Sequence, residues 1–353
     1  MKKTNGIRKL LLMILALQVV IHIPVHAESP QVYVSGEPVG IYIRTRGLLV
    51  LGTQELEDSD GIKKSDPSGK KLMAGDYILK ADNQDMNSRR ELMDFLKKNR
   101  EKEVLFTIMR KGEKQKIRIR PVYSGKNDTW QIGAWVRSDT QGIGTITCIC
   151  PDGSFLALGH GISDYDLGVP MDISGGCICR ADISTVIKGA ARHPGEIVGS
   201  VDYSPGSYLG SVSTNSPLGI RGSLKRRPGI SPRDNSAGIC DRGEKDLLTV
   251  ASKSQVKKGK AFLRTSISGK SQDYTIEIEK IWPDKKDRQK TLGIRVTDER
   301  LLNMTGGIIQ GLSGSPIIQE GKLAGAVTHV MVNDPARGYG ILAEDMLACR
   351  GRN

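Results

Sequence analysis

Two hydroxyls stand in a tight turn at "GIIQGLSGSPII", Gly307 to Ile318. Ser313 lies between Leu312 and Gly314, and Ser315 precedes Pro316. A serine hydroxyl is a weak nucleophile until a base takes its proton and fixed donors receive the developing charge. Glycines around the serine let backbone N–H groups converge near its oxygen without steric cost. A hairpin turn with two incidental serines is the competing explanation, and the trailing Ser-Pro with an apolar strand beyond it weighs against that. The chain has five histidines from which to draw a base. His22 and His26 fall in the N-terminal apolar segment, and His193 lies in the basic loop "AARHPGE". His160, in "FLALGHGISD", ends an apolar strand between two glycines, where an imidazole is free to reach into a cleft. His329, in "AGAVTHVMVND", sits inside a strand, the place of a structural partner, so His160 is preferred. The imidazole's second nitrogen needs a carboxylate to hold it. Asp298, in "LGIRVTDERLL", ends a strand fifteen positions before the serine. It is preferred over Asp164, which could cap the turn after His160, and over Asp334, an Asp-Pro turn former.

These residues need strands to position them. From Gln131 onward the chain reads as short strands between Gly, Pro, Asn and Asp turns: "GTITCIC", "GEIVGSV", "YTIEIEKIW", "KLAGAVTHV". No helical period lasts long before "GILAEDMLACR", and the pattern is that of an all-β barrel or double barrel. Residues 28–123 form a different unit. "VYVSGEPVGIYIRTRGLLVLGTQEL" gives two or three strands, and "SRRELMDFLKKN" is an amphipathic helix capped by Ser88. "VLFTIMRKGEKQKIRIRPV" is a hairpin, and "SGKNDTW" breaks the chain before the barrel.

Composition narrows the function classes. The chain has 353 residues and a net charge of +13, with 38% hydrophobic and 26% charged residues. The basic residues are dispersed, and the clusters "LKRRP" and "KKGK" carry no interleaved aromatics, so nucleic-acid binding is not expected. The N-terminus reads "MKKTNGIRKLLLMILALQVVIHIPVHAES": a basic start, an apolar run and a small-residue cleavage pattern at Ala27. This is an export signal, or an uncleaved anchor, over residues 1–27, and the remainder is expected outside the cytoplasm. Cys148–Cys150 and Cys177–Cys179 are Cys-X-Cys pairs, read as small buried hydrophobes in strands rather than as disulfides. No metal and no cofactor are expected.

Two resemblances add to this reading. Residues 28–123, and above all "LMAGDYILKADNQDM", resemble a PDZ domain, an α+β unit that binds peptides at a sheet edge. The stretch matching the carboxylate-cradling loop is Arg46-Gly47-Leu48-Leu49, which lacks the common Gly-Leu-Gly-Phe form. The serine turn resembles that of chymotrypsin-like proteases, which implies Ser313 as nucleophile and the N–H groups of Gly311 and Ser313 as the oxyanion hole. More specifically, "ALGHGISD", "SAGIC" and the block "IRVTDERLLNMTGGIIQGLSGSPIIQEGKLAGAVTHVMVNDPARGYGI" resemble the SpoIVB peptidase family, the stage IV sporulation protein B serine proteases. That resemblance implies a mainly β fold: a PDZ domain, then a chymotrypsin-like peptidase domain over 124–353 with a His160, Asp298, Ser313 triad. It also implies action in the space between the two membranes of a forespore. There the protease would cleave itself and the extracytoplasmic part of a regulator of a membrane-embedded metalloprotease, releasing processing of a late sigma factor. The PDZ ligand would be a peptide, including one from a second copy of the chain. A non-catalytic PDZ scaffold and an HtrA-like quality-control protease are the alternatives.

Overall fold

The stretch with two or three expected strands forms three, and the middle one is sixteen residues long. It sets the architecture of the computed structural model, which describes residues 29–57, 64–125, 127–225 and 246–348. The export segment 1–27, "SAGIC", most of "LKRRP", Cys240 and Cys349 lie outside the described residues. Everything below concerns the unit from Gln31 onward.

The chain opens with β1 (Gln31–Val34), β2 (Pro38–Thr53) and the short strands β3 (Leu56–Glu57) and β4 (Lys64–Ser65). Then come β5 (Tyr77–Ala81), β6 (Gln84–Asp85), helix α1 (Arg89–Lys98), and the hairpin of β7 (Val104–Arg110) and β8 (Glu113–Ile119). Ser88 caps α1 as expected, its hydroxyl accepting the Glu91 N–H at 3.2 Å. A small hairpin, β9 (Val122–Ser124) and β10 (Thr129–Gln131), leads into the sixteen-residue β11 (Ala134–Ile149). Next are β12 (Ser154–Ala157), β13 (Ile173–Cys179), β14 (Ala181–Ile187), β15 (Glu196–Val201), β16 (Tyr208–Ser216) and β17 (Gly219–Leu224). The last part holds β18 (Leu247–Val250), β19 (Gly259–Thr265), β20 (Gln272–Ile281), β21 (Leu292–Val296) and helix α2 (Glu299–Thr305). It closes with β22 (Pro316–Gln319), β23 (Lys322–Met331), β24 (Asp334–Leu342) and helix α3 (Ala343–Ala348).

Hydrogen bonding closes two antiparallel barrels. The first runs β2, β13, β16, β17, β12, β11 and back to β2. The second runs β19, β20, β21, β24, β23, β22 and back to β19. Each has its own apolar filling: Ile41, Ile43, Ile146, Phe155 and Ile178 in the first, Leu263, Ile276, Ile294, Ile317 and Val327 in the second. The alternation of inward apolar and outward polar residues drives this, each fully buried Leu or Ile contributing about 1.5–3 kcal/mol. β1 and β18 link the barrels: β1 pairs with β11 and β18, and β18 runs parallel to β23.

The unit built around α1 is an insertion in the first barrel. The start of β2 pairs with β13 and β11 in the barrel, while Leu48 and Leu49 pair with Ile78 and Tyr77 of β5. The unit's core gathers Leu48, Val50, Ile78, Leu92, Phe95, Leu96, Phe106 and Ile108. The chain returns along β11, whose Ala134 pairs with Thr53 and whose Thr145 pairs with Pro38. Residues 31–45, grouped in sequence with the first unit, are therefore paired into the barrel. β11 beyond Arg137 belongs to the barrel, and its first residues belong to the inserted unit.

Candidate active site

His160 and Ser313 come from different barrels and line one cleft of about 670 Å³ between them. β12 carries its apolar residues into the first barrel and hands on to Leu158, Gly159 and His160. Leu158 takes a φ of +70°, a costly conformation for a bulky side chain, at the point where the chain turns His160 toward the cleft. The His160 Nδ1 lies 2.9 Å from the Gly161 carbonyl oxygen. A carbonyl only accepts, so Nδ1 carries the proton and Nε2 keeps its lone pair, the tautomer a general base needs. Burial holds the imidazole below its ordinary range, and the Gly161 carbonyl partly offsets this.

The serine turn joins α2 to β22. Gly314 has a φ of +97°, and a Cβ there would meet the Thr145 carbonyl and the backbone of Leu158. Only glycine lets the turn press against the strand and loop that deliver His160. β11 clamps the turn. The Thr145 N–H donates to the Ser313 carbonyl at 3.0 Å, the Thr145 hydroxyl to the Gly311 carbonyl at 2.7 Å, and the Thr147 hydroxyl to the Gly314 carbonyl at 2.7 Å. The N–H groups of Leu312, Gly314 and Ser315 donate to Ile309, Val327 and Leu312 carbonyls. Those of Gly311 and Ser313, the two expected oxyanion donors, take no partner among the described backbone bonds. The Ser313 hydroxyl donates to the Thr328 carbonyl at 2.7 Å, so its proton is directed there and not to the base. Ser315 is fully buried.

Asp298 is not brought to His160. It caps α2, accepting the Arg300 N–H at 3.0 Å and the Thr275 N–H at 3.1 Å, and it pairs with the Arg300 guanidinium at 2.8 Å. Arg300 foremost holds its carboxyl down at about 2, against burial. It does not line the cleft. The residue that does stand beside His160 is His329, with ring centroids 5.0 Å apart. Burial, the His160 ring and Lys290 push His329 down to about 4, against the opposing pull of Asp287. Asp164 is buried in the loop after His160, paired with Arg137 and accepting the Asp166 and Leu167 N–H groups, as a turn cap would. His193 is exposed in its loop, and Asp334 pairs with Arg337 at 2.9 Å. Cys148, Cys150 and Cys179 are buried and Cys177 half-buried; burial and Cys177 raise the Cys179 thiol to about 12.

The expected peptide loop Arg46–Leu49 is also placed otherwise. Arg46 faces Asp172 at 3.3 Å, Leu48 and Leu49 are fully buried, and Leu49 pairs with Tyr77 on one side and Arg137 on the other. That stretch is sheet interior and offers no open edge.

Sequence reasoning missed Thr145, Thr147, Thr328 and Asn215. The Asn215 side chain bonds Ile162 twice, at 2.8 Å each, and the Met171 carbonyl at 2.9 Å, holding the loop after His160. Its setting in the turn-forming run "TNSPLG" was the one available signal. The cleft wall of Ile41, Ile43, Ile143, Leu158 and Ile162 includes no Lys, Arg, Asp or Glu among the described residues.

Comparison with protein families matches residues 128–347 to SpoIVB peptidase S55 and residues 45–120 to a PDZ domain. The chain belongs to the SpoIVB peptidase S55 family. It is a serine peptidase with a PDZ domain, and its mainly β, chymotrypsin-like fold is the one expected. Among solved structures, the PDZ domain of an SdrC-like protein from Listeria monocytogenes is 21% identical. That match covers 26% of this chain and 87% of the other, with a TM-score of 0.22. The active form of the Rv3671c protease from M. tuberculosis is 16% identical over 61% of this chain and 76% of its own, with a TM-score of 0.31. The HtrA-type protease AlgW with a decapeptide is 8% identical over 90% of this chain and 64% of its own, with a TM-score of 0.35. Comparison with curated proteins gave no match.

Proposed function

We propose that this SpoIVB-family peptidase acts outside the cytoplasm, between the membranes of a developing spore. Its substrates there are itself and the extracytoplasmic part of a membrane-metalloprotease regulator. Ser313 attacks the scissile carbonyl, His160 takes the proton through Nε2, and the Gly311 and Ser313 N–H groups receive the oxyanion. Asp298 is a positioning residue that fixes α2, the element leading to the serine turn. The PDZ unit takes an extended peptide. The observation that supports this reading is that His160 and Ser313, from different barrels, line one cleft, with the Gly311 and Ser313 N–H groups unpartnered among the described backbone bonds. Family membership supports the spore setting, and the apolar N-terminal run supports export.

The test is incubation of the purified full chain alone, and then with the regulator's extracytoplasmic domain, followed by N-terminal sequencing of the fragments. Cleavage of both by wild type and of neither by Ser313→Ala is the expected result. Cleavage of unrelated unfolded proteins at equal rates, with no preference for the regulator, would favour a general quality-control protease.

A further inference from the structure

The hairpin of β14 and β15 forms a small sheet of its own, and it leaves the first barrel to grip the second. The Gly189 N–H donates to the Thr305 carbonyl at 2.8 Å, and the Arg192 N–H to the Val332 carbonyl at 2.7 Å. Nearer the serine turn, Glu196 of β15 bridges Gln310 in parallel. There the Gln310 N–H donates to the Gly195 carbonyl at 2.8 Å, and the Ile197 N–H donates to the Gln310 carbonyl at 2.9 Å. Gln310 and Gly311 line the catalytic cleft, and no residue of the hairpin does among the described residues.

The bond from Ile197 fixes the direction of an amide. The Gln310 carbonyl and the Gly311 N–H belong to one planar trans peptide unit, so they point in opposite directions. With the carbonyl held by β15, the Gly311 N–H is directed away from β15. The same unit turned over would present a carbonyl in place of the N–H, and an acceptor there repels an oxyanion. The Ile197 side chain adds a steric stop. It is 7% exposed and packs with Ile309 and Leu312. Gly311 has a φ of +97°, and a Cβ there would meet the Ile197 side chain at 2.8 Å, so the turn lies directly on it. The next carbonyl along, that of Gly311, is held by the Thr145 hydroxyl.

We propose that the β14–β15 hairpin sets the oxyanion hole, with Ile197 as the positioning residue that aims the Gly311 N–H. This rests on the reading of Ser313 as nucleophile and of Gly311 as an oxyanion donor. Ile197 touches no substrate; it acts through the Gln310–Gly311 peptide unit. The second barrel carries the nucleophile and the hole, and the first carries the base. The hairpin is the part of the first barrel's chain that reaches across and holds the hole. A ground-state carbonyl gains little from a donor placed for the tetrahedral oxyanion, whereas the transition state gains much. The contribution of Ile197 therefore belongs to kcat and not to KM.

Three variants of the full chain test this. The Ile197 N–H is committed to Gln310, so Ile197→Pro removes that bond; Ile197→Ala keeps the donor and removes the side chain; Ile197→Val is the conservative control. Each is measured on a short reporter peptide and with a trifluoromethyl ketone built on the same sequence up to the cut, which forms a tetrahedral adduct on the serine. Ile197→Pro is expected to lower kcat about a hundredfold, the loss typical of one missing oxyanion donor, with KM changed less than about threefold. Affinity for the ketone should fall by the same factor, while binding of the uncut peptide to the matching variant carrying Ser313→Ala as well should not change. Ile197→Ala should lose at least about fivefold in the same pattern, and Ile197→Val less than about twofold. Should Ile197→Pro fail to fold, as read by its thermal melt, Ile197→Ala decides by the same split. An unchanged kcat in the folded variants, or a loss shared equally by the ketone and the uncut peptide, would overturn the proposal. A wild type that neither cuts the peptide nor takes up the ketone would overturn the catalytic reading beneath it, and the proposal with it.

Discussion

A hydroxyl that donates to the Thr328 carbonyl has to turn before it can attack, and the group it turns toward decides the pH dependence. His160 and His329 share the cleft, and each is held below the ordinary value of 6.5, mainly by burial. Protonated imidazole cannot accept the serine proton, so activity should rise with pH to a plateau whose half-point lies below pH 6.5. Asp298, held at about 2, stays ionised across that range and adds no second step. The same depressions bear on stability. Between about pH 6.5 and 4 the unfolded chain binds more protons than the folded one, so stability is full above that window and falls as the pH is lowered through it. A pH–rate profile with thermal melts at matched pH checks both signs, and a rate rising toward pH 4 would contradict them. His160→Ala should remove at least about a thousandfold of activity, and His329→Ala less than about tenfold. The reverse order would make His329 the base. At this scale the sequence was informative because glycine marks these residues: "GHG" and "GLSG" both announce a backbone that must come close to something. The His160–His329 contact was hidden, since the two lie 169 positions apart and meet only when two barrels close.

Short α2 carries more than its length suggests. Its first turn is fixed by Asp298 through Thr275 and Arg300, and its end delivers Gly306 and the approach to the serine turn. Asp298→Asn keeps one acceptor for the cap but gives up the ion pair. It should leave the fold intact and lower activity at least tenfold. If Asp298 works by holding α2, Arg300→Gln reproduces most of that loss. An Arg300→Gln enzyme of full activity beside a crippled Asp298→Asn would show instead that the carboxylate reaches the imidazole in the working enzyme. Element types were readable from pattern: the Ser88 cap and apolar face marked α1, and alternation marked the strands. What alternation cannot tell is which sheet a strand joins. β2 reads as one alternating run, and half of it serves a barrel while half serves the inserted unit.

At the scale of the molecule, insertion of the PDZ unit sets how it can be removed. Thr45 and Ser138 are joined by a hydrogen bond of 2.9 Å, and Arg44 pairs with Asp139. Replacing 46–137 by a two-residue hairpin turn should therefore leave the barrel closed and folded. Cleavage of a short peptide should persist, and cleavage of the membrane-tethered regulator should fall at least tenfold. Unchanged cleavage of both would make the unit a passive spacer. The uncharged wall of the cleft should make the enzyme prefer apolar or neutral residues beside the cut, read by mass spectrometry of a digested peptide library; a majority of cuts beside Lys, Arg, Asp or Glu would count against it. The change of texture near residue 124, between the stretches matched to a PDZ domain and to the peptidase family, was legible. The nesting of one unit in the other was not, because it depends on pairing between strands about a hundred residues apart. The account rests most heavily on Ser313 as the nucleophile with His160 as its base. Labelling by a fluorophosphonate, with the adduct located by mass spectrometry, tests this directly. The account predicts a single adduct on Ser313 in wild type, none in Ser313→Ala, retained labelling in Ser315→Ala and strongly slowed labelling in His160→Ala. An adduct on any other residue, or labelling of Ser313 that does not depend on His160, would contradict it.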